Sequence, residues 1–303
     1  MSTADTSKIP ITLSYFTLPK DGSKPRTYQY QPPAGVPQLN YETVPHPFEI
    51  ENVRGKEHEF DLDNAGFLFA RSPAKHQAFI DDEDIEREYY PESADLIKKL
   101  TGASKVVLFD HSKSLVRELQ IKEAGAKNVT IYGLAIRRRR EGESGTDPKK
   151  RIPVSRVHVD QTPKAAVNRV RRHIPPEEAE VLLKHRFQII NLWRPISHPA
   201  LDWPLALCDF RSVDMKKDFV PVDLVYRDKV GETFGVQWNP KHEWKYLRGM
   251  TPEEVVLIKC YDSIDDGTVA ALTPHTAFED PTTPEGSPKR ESIELRALVF
   301  YDD

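Results

Sequence analysis

Two histidines and an aspartate have the types and spacing of a metal-binding set. His158 and Asp160 are separated by one residue, and His275 lies far downstream in Pro274-His275-Thr276-Ala277-Phe278. This is the ligand set of the 2-His-1-carboxylate facial triad, which holds non-haem Fe(II) and leaves positions open for a co-substrate and O2. A His-x-Asp pair alone also occurs on ordinary surface strands, so the prediction depends on the distal histidine and on the arginine-containing segment beyond it.

The segment after His275 supplies a candidate clamp for a carboxylate. It runs Arg290-Glu291-Ser292-Ile293-Glu294-Leu295-Arg296 and has an arginine at each end. A guanidinium binds a carboxylate through paired hydrogen bonds, and 2-oxoglutarate is the dicarboxylate that such iron sites commonly use. Arg290 with Ser292 could hold its distal carboxylate. Arg296 could do so instead, or both arginines could be surface residues paired with Glu291 or Glu294.

Positioning these groups requires strands. In Arg156-Val157-His158-Val159-Asp160 the pattern has period two, so His158 and Asp160 project to one strand face. The same rule places Arg290, Ser292, Glu294 and Arg296 on one face of a strand, and Ile293, Leu295, Ala297 and Val299 on the other. A facing strand that carries His275 would complete the site.

The rest of the chain predicts a mainly β protein with helical additions, of the α+β kind. Helical spacing is confined to the part before residue 185: it covers residues 93–100 with Gly102 as a stop, a helix capped by Thr162-Pro163, and a second helix from Glu177. Strands are predicted at 105–110, 129–136 and 187–193, as a hairpin over 222–238, and at 255–259 and 293–300. This order favours a single double-stranded β-helix, or jelly roll.

Two segments without such periodicity have simpler interpretations. Residues 1–45 contain a stretch rich in Pro and Gly and predict an extended N-terminal arm, which leaves 46–303 as one jelly-roll domain with helical insertions. The run Arg137-Arg138-Arg139-Arg140 could suggest nucleic acid. Acidic residues come directly after it and no aromatic ladder accompanies it, so a solvated strand end before a surface loop at 141–148 is the better interpretation.

Composition excludes several partner classes. The chain has 303 residues and a net charge of -4, so no global basic field attracts nucleic acid or an anionic membrane. No apolar stretch is long enough to span a bilayer, and the N-terminus lacks the pattern of a signal peptide. The two cysteines, Cys208 and Cys260, form no disulfide framework. We therefore expect a cytoplasmic protein with a small-molecule partner.

Several motifs together resemble a known group, the gibberellin A4 desaturase-like family, which includes fungal hydroxylase/desaturases. The similarity covers roughly residues 45–303. The motifs that carry it are Tyr132, Arg156-Val157-His158-Val159-Asp160-Gln161, Asn191-Leu192-Trp193-Arg194-Pro195-Ile196, Pro204-Leu205-Ala206-Leu207-Cys208-Asp209, Lys259-Cys260-Tyr261-Asp262-Ser263, Pro274-His275-Thr276-Ala277-Phe278 and Arg290-Glu291-Ser292-Ile293-Glu294-Leu295-Arg296.

The resemblance implies an Fe(II)/2-oxoglutarate-dependent dioxygenase that hydroxylates, desaturates or cyclises a small secondary metabolite. It implies that His158, Asp160 and His275 bind iron and that Arg290 with Ser292 binds 2-oxoglutarate. The long gap from His275 to Arg290 keeps Arg296 as the alternative clamp.

Three further positions from the shared motifs are candidates for the site, and two of them have a second interpretation. Asn191 and Tyr132 could donate hydrogen bonds to the co-substrate, although Tyr132 could also fill core space. Arg194 could meet a carboxylate or be a buried partner of Asp209. A cupin-like metal enzyme that does not use 2-oxoglutarate, or a non-catalytic jelly-roll binding protein, is the alternative function.

Overall fold

A computed structural model of the chain describes residues 7–109, 135–138 and 153–302. Two β-sheets form its framework, a nine-stranded sheet in the order β1-β3-β12-β9-β14-β7-β11-β10-β2 and a six-stranded one built on β4-β13-β8-β15-β5. The strands are β1 Lys8–Phe16, β2 Arg26–Tyr28, β3 Thr43–Asn52, β4 Phe67–Arg71, β5 Lys105–Phe109, β6 Ala135–Arg138, β7 His158–Val159, β8 Phe187–Pro195, β9 Leu205–Cys208, β10 Phe219–Val225, β11 Val230–Val236, β12 Trp244–Tyr246, β13 Glu254–Asp262, β14 His275–Ala277 and β15 Glu291–Phe300.

The three longest helices lie where the sequence predicts them. The helices are α1 Asp82–Asp84, continued by a π-helical turn Ile85–Tyr89, then α2 Tyr90–Thr101, α3 Pro163–His173 and α4 Pro176–Leu182. Gly102 ends α2 in the left-handed region at φ 74°. The Thr162 hydroxyl accepts a hydrogen bond from the Ala165 amide and caps α3. The predictions of Thr162 as a helix cap and of Gly102 as a helix stop are confirmed.

Alternation along β15 separates two layers of the core. Leu298 and Phe300 belong to an apolar cluster that includes Leu207 of the other sheet. Ile293 and Leu295 belong to a second cluster that includes Ile97 of α2. One face of β15 therefore points into the space between the sheets and the other packs under α2, as period two requires. The mainly β jelly roll with helical additions is confirmed.

The N-terminal residues contribute strands at both edges of the larger sheet. β1 pairs with β3 in antiparallel register from Lys8↔Glu51 to Phe16↔Thr43, and β2 pairs with β10 in parallel. The predicted hairpin is present as β10 and β11. Of the predicted strand 129–136 only its end, in β6, lies in the described ranges. Tyr132, Arg139, Arg140 and the predicted loop 141–148 lie outside them.

No helix in the described ranges combines the length and apolarity that a bilayer crossing would need.

Candidate active site

Three side chains from separate parts of the chain meet between the sheets. His158 lies on β7, Asp160 comes just after that strand, and His275 lies on β14, which pairs with β7 so that His275 is directly opposite His158. The ligand atoms of these three residues all lie within 4.8 Å of one another. Within the described part of the chain this is the single cluster of His, Cys, Asp or Glu side chains with atoms placed to hold a metal ion.

Backbone carbonyls fix the orientation of both imidazole rings. Nδ1 of His158 lies 2.9 Å from the Arg156 carbonyl oxygen, and Nδ1 of His275 lies 3.0 Å from that of Thr273. An Nδ1–H that donates to a carbonyl leaves Nε2 deprotonated, with its lone pair available to a metal. The two rings approach to 4.5 Å between centroids. Both histidines therefore present Nε2 to the same small volume.

The two oxygens of Asp160 have different surroundings. Oδ1 lies 3.8 Å from Nε2 of His158. Oδ2 accepts a hydrogen bond of 2.7 Å from the Asn191 side-chain amide and lies 3.1 Å from a terminal nitrogen of Arg296. The Cys260 thiol lies 4.0 Å from the same oxygen. Oδ1 thus faces His158, whereas Oδ2 is held by side chains of the six-stranded sheet.

The electrostatics favour the protonation states that a metal requires. Burial, followed by the neighbouring His275, lowers the pKa of His158 to about 3. Burial acts to raise the pKa of Asp160, but the charge of Arg296, aided by the hydrogen bond from Asn191, lowers it overall. Burial and the charge of Asp160 raise the pKa of the Cys260 thiol well above its usual range. At neutral pH the site therefore offers a neutral His158, a carboxylate and a protonated thiol.

Ser292 lies near the start of β15 and Arg290 just before that strand, whereas Arg296 lies further along it. The Arg290 guanidinium donates to the Trp203 carbonyl oxygen at 2.5 Å and packs over the Trp193 ring at 5.6 Å, and its backbone amide donates to Asp202 at 3.1 Å. The Ser292 hydroxyl is buried and has no hydrogen-bond partner among the described residues. Trp203 has a φ of 48°, a strained value for a bulky side chain.

The remaining predicted positions lie elsewhere. Arg194 is buried, donates to the carbonyl oxygens of Ser72 and Pro252, and packs over Tyr89. Its predicted pairing with Asp209 is wrong, because Asp209 forms its ion pair with Arg211 at 2.5 Å. Arg194 instead tethers the loop before α1 to the sheet. Trp193 is a buried core residue.

Sequence reasoning missed two features of the site. Cys260 lies among apolar residues on β13. In the sequence such a position indicates core packing and gives no sign that the thiol lies near Asp160. The loop with Asp202 and Trp203, which contacts Arg290, precedes the shared motif that begins at Pro204 and carries no spacing signal of its own.

Comparisons with known proteins identify relatives of the chain along nearly its whole length. A family model described as "Oxidoreductase/YMDC permease-like domain" matches residues 13–118 and 113–300. The hydroxylase/desaturase efuI of Hormonema carpetanum is 35% identical over 96% of this chain and 95% of its own length. The Fe(II)/2-oxoglutarate-dependent dioxygenase nvfI of Aspergillus novofumigatus is 32% identical over 94% of both chains.

Solved structures give the same assignment. A structure of the iron and alpha-ketoglutarate-dependent endoperoxidase NvfI superposes with a TM-score of 0.78 at 28% identity, over 98% of this chain and 99% of that one. A variant of the same protein gives a TM-score of 0.81 at 27% identity. Identity at this level over nearly whole chains, with the same fold, establishes common descent. The chain belongs to the oxidoreductase family of fungal hydroxylase/desaturases and Fe(II)/2-oxoglutarate-dependent dioxygenases.

Proposed function

We propose that this protein is an Fe(II)/2-oxoglutarate-dependent oxygenase that hydroxylates, desaturates or oxidatively cyclises a small molecule in secondary-metabolite biosynthesis. The observation that carries the proposal is the convergence of His158, Asp160 and His275, whose ligand atoms lie within 4.8 Å of one another. Two imidazoles and one carboxylate are the donor set that Fe(II) accepts while it retains open coordination positions.

The residues present fit an iron ion and an oxo acid. His158 and His275 would each bind the metal through Nε2, since Nδ1 of each ring is engaged by a carbonyl oxygen. Asp160 would bind through Oδ1. When bound, iron would supply the activation of O2, with 2-oxoglutarate as the co-substrate that is consumed.

For 2-oxoglutarate we propose a clamp formed by Arg290 and Ser292. Ser292 lies on the face of β15 that points between the sheets, and Arg290, just before that strand, is only 2% exposed and packs over Trp193. The buried Ser292 hydroxyl without a described partner supports a ligand there, because an unsatisfied buried hydroxyl is costly unless something else bonds to it. A carboxylate at this position would share the guanidinium with the Trp203 carbonyl.

The surrounding residues would control access of water and substrate. His158 and Asp160 retain side-chain exposures of 14% and 12%, so the metal side is reachable. Apolar residues such as Leu207, which pairs with His275, line the interior behind it. Water is thereby excluded on one side, and substrate would approach from the other.

Several wider properties are part of the proposal. Residues 46–303 would act as one jelly-roll dioxygenase domain, to which the arm of residues 1–45 adds β1 and β2. Both cysteines are buried and free, which suits a cytoplasmic location. The partner would be a small molecule, with neither nucleic acid nor a membrane required.

Anaerobic titration with Fe(II) and then 2-oxoglutarate tests the proposal through the metal-to-ligand charge-transfer absorbance of the complex. We expect the band in the wild type and its loss in His158→Ala and His275→Ala, with circular dichroism to verify that the variants fold. Arg290→Ala should bind Fe(II) but require more 2-oxoglutarate. Iron binding without the band would favour a cupin-like enzyme, and a wild type that binds no iron would refute the proposal.

A further inference from the structure

Asn191 and Arg296 are both predicted candidates for binding the co-substrate. In the structure both side chains contact Asp160 instead. Strands β8 and β15 are antiparallel neighbours whose register puts Arg296 directly opposite Asn191. Residues directly opposite each other project to the same face of the sheet. From that face both side chains reach Oδ2 of Asp160, at 2.7 Å for Asn191 and 3.1 Å for Arg296.

We infer that Asn191 and Arg296 are positioning residues that hold Oδ2 of Asp160, so that the carboxylate presents only Oδ1 to the metal. This inference rests on the proposed function. Under this inference Arg296 is not part of the co-substrate clamp. It acts on the metal ligand Asp160, whereas Arg290 and Ser292 bind a carboxylate of 2-oxoglutarate.

The two donors fix the carboxylate in complementary ways. Asn191 is fully buried and neutral, so its hydrogen bond orients Asp160 without adding charge. Arg296 is cationic, and its terminal nitrogen also lies 3.3 Å from Glu294. The negative charge of Glu294 offsets the positive charge of Arg296. This limits the repulsion between the guanidinium and an incoming metal cation. Orientation of the ligand is therefore the dominant effect of both residues.

A carboxylate with one oxygen held by two donors has a defined coordination mode. If Oδ2 were free, Asp160 could rotate and offer both oxygens to the metal, which would consume a position that the co-substrate and O2 need. Residues that orient metal ligands in this way typically contribute about 10- to 100-fold to metal affinity.

The test compares metal affinity with co-substrate affinity in matched variants. Anaerobic calorimetry with Co(II), together with its visible d–d spectrum, reports on both affinity and coordination geometry without any turnover. We expect Asn191→Leu and Arg296→Gln to weaken Co(II) binding by about 10- to 100-fold and to alter the d–d spectrum. Arg296→Lys, which keeps the charge and one donor, should restore part of the loss.

Two controls separate this role from a general loss of stability. Arg186, just before strand β8 that carries Asn191, forms an ion pair of 2.7 Å with the buried Asp262 at the end of β13. Arg186→Gln should lower thermal stability and leave Co(II) affinity and its spectrum unchanged. Arg290→Gln should bind Co(II) like the wild type and lose affinity for 2-oxoglutarate.

The outcomes are distinct. Normal or tighter Co(II) binding in Asn191→Leu and Arg296→Gln would overturn the inference. So would a selective loss of 2-oxoglutarate affinity in Arg296→Gln, because that result would make Arg296 the clamp. A wild type that does not bind Co(II) would instead refute the proposed function itself.

Discussion

At the scale of single residues, burial determines which groups can carry charge. Burial is the main reason that the pKa of both His158 and His173 is lowered to about 3. Different neighbouring groups add to the shift at each histidine. His158 faces His275 in the candidate site. His173, at the end of α3, lies near the cations Arg169 and Arg172 and stacks on Phe109 at 5.0 Å between ring centroids. His158 belongs to the proposed metal site, whereas His173 lies outside it.

His173 should make the fold sensitive to acid. Its pKa is lower in the folded state than the unfolded value of about 6.5, so protonation favours unfolding and stability falls as pH decreases from 6.5 toward 3. At pH 5 this single group should cost about 2 kcal/mol relative to pH 8. Urea unfolding at both pH values should show a smaller loss in His173→Phe than in the wild type. Equal losses in the two proteins would contradict the prediction.

At the scale of elements, the short strand β7 depends on its neighbours for its place. It contains only two residues and pairs with β14 on one side and with β11 on the other, where Gly235 lies opposite His158. A Cβ at Gly235 would lie 2.7 Å from the Phe16 ring. The absence of a side chain at Gly235 thus lets Phe16 of the N-terminal arm pack against β11, the strand next to His158.

Gly235→Ala should therefore destabilise the protein. Relieving the overlap requires Phe16 or β11 to move, at a cost of about 1–3 kcal/mol for an overpacked interior. The matched control is Gly231→Ala on the same strand, where the nearest atom, in Tyr226, would be 3.4 Å from the new Cβ. Chemical denaturation should show a clear loss for Gly235→Ala and a much smaller change for Gly231→Ala. Similar values for both would disprove the steric explanation.

At the scale of the whole molecule, the proposed metal site would link metal binding to folding. Its candidate ligands come from β7, from Asp160 just after it, and from β14, and only the folded sheet brings these together. An unfolded chain has no such site, so a metal that binds the native state alone must stabilise it.

Saturating metal should raise the thermal stability. At a free metal concentration of about 100 times the dissociation constant, the gain is about 2.7 kcal/mol. Anaerobic thermal denaturation with Fe(II) and with a chelator should show the difference in the wild type and none in His275→Ala. An equal shift in His275→Ala would mean that the metal binds elsewhere.

The sequence by itself determined the features that depend on local spacing. The common face of His158 and Asp160 and the two faces of β15 result from the period of about 2 along a strand, and the Thr162 cap and the Gly102 stop result from the local chemistry of helix ends. Both effects act over a few residues, so they can be recognised in the chain without knowledge of its partners.

Only the tertiary structure decided which arginine lies beside Asp160. The even spacing of Arg290 and Arg296 predicts that both face the same way, but period two gives only the face and not which side chain lies near Asp160. The register of β15 against β8 places Arg296 opposite Asn191 and beside Asp160. That register is set by packing between segments that are far apart in the chain, and no local pattern encodes it.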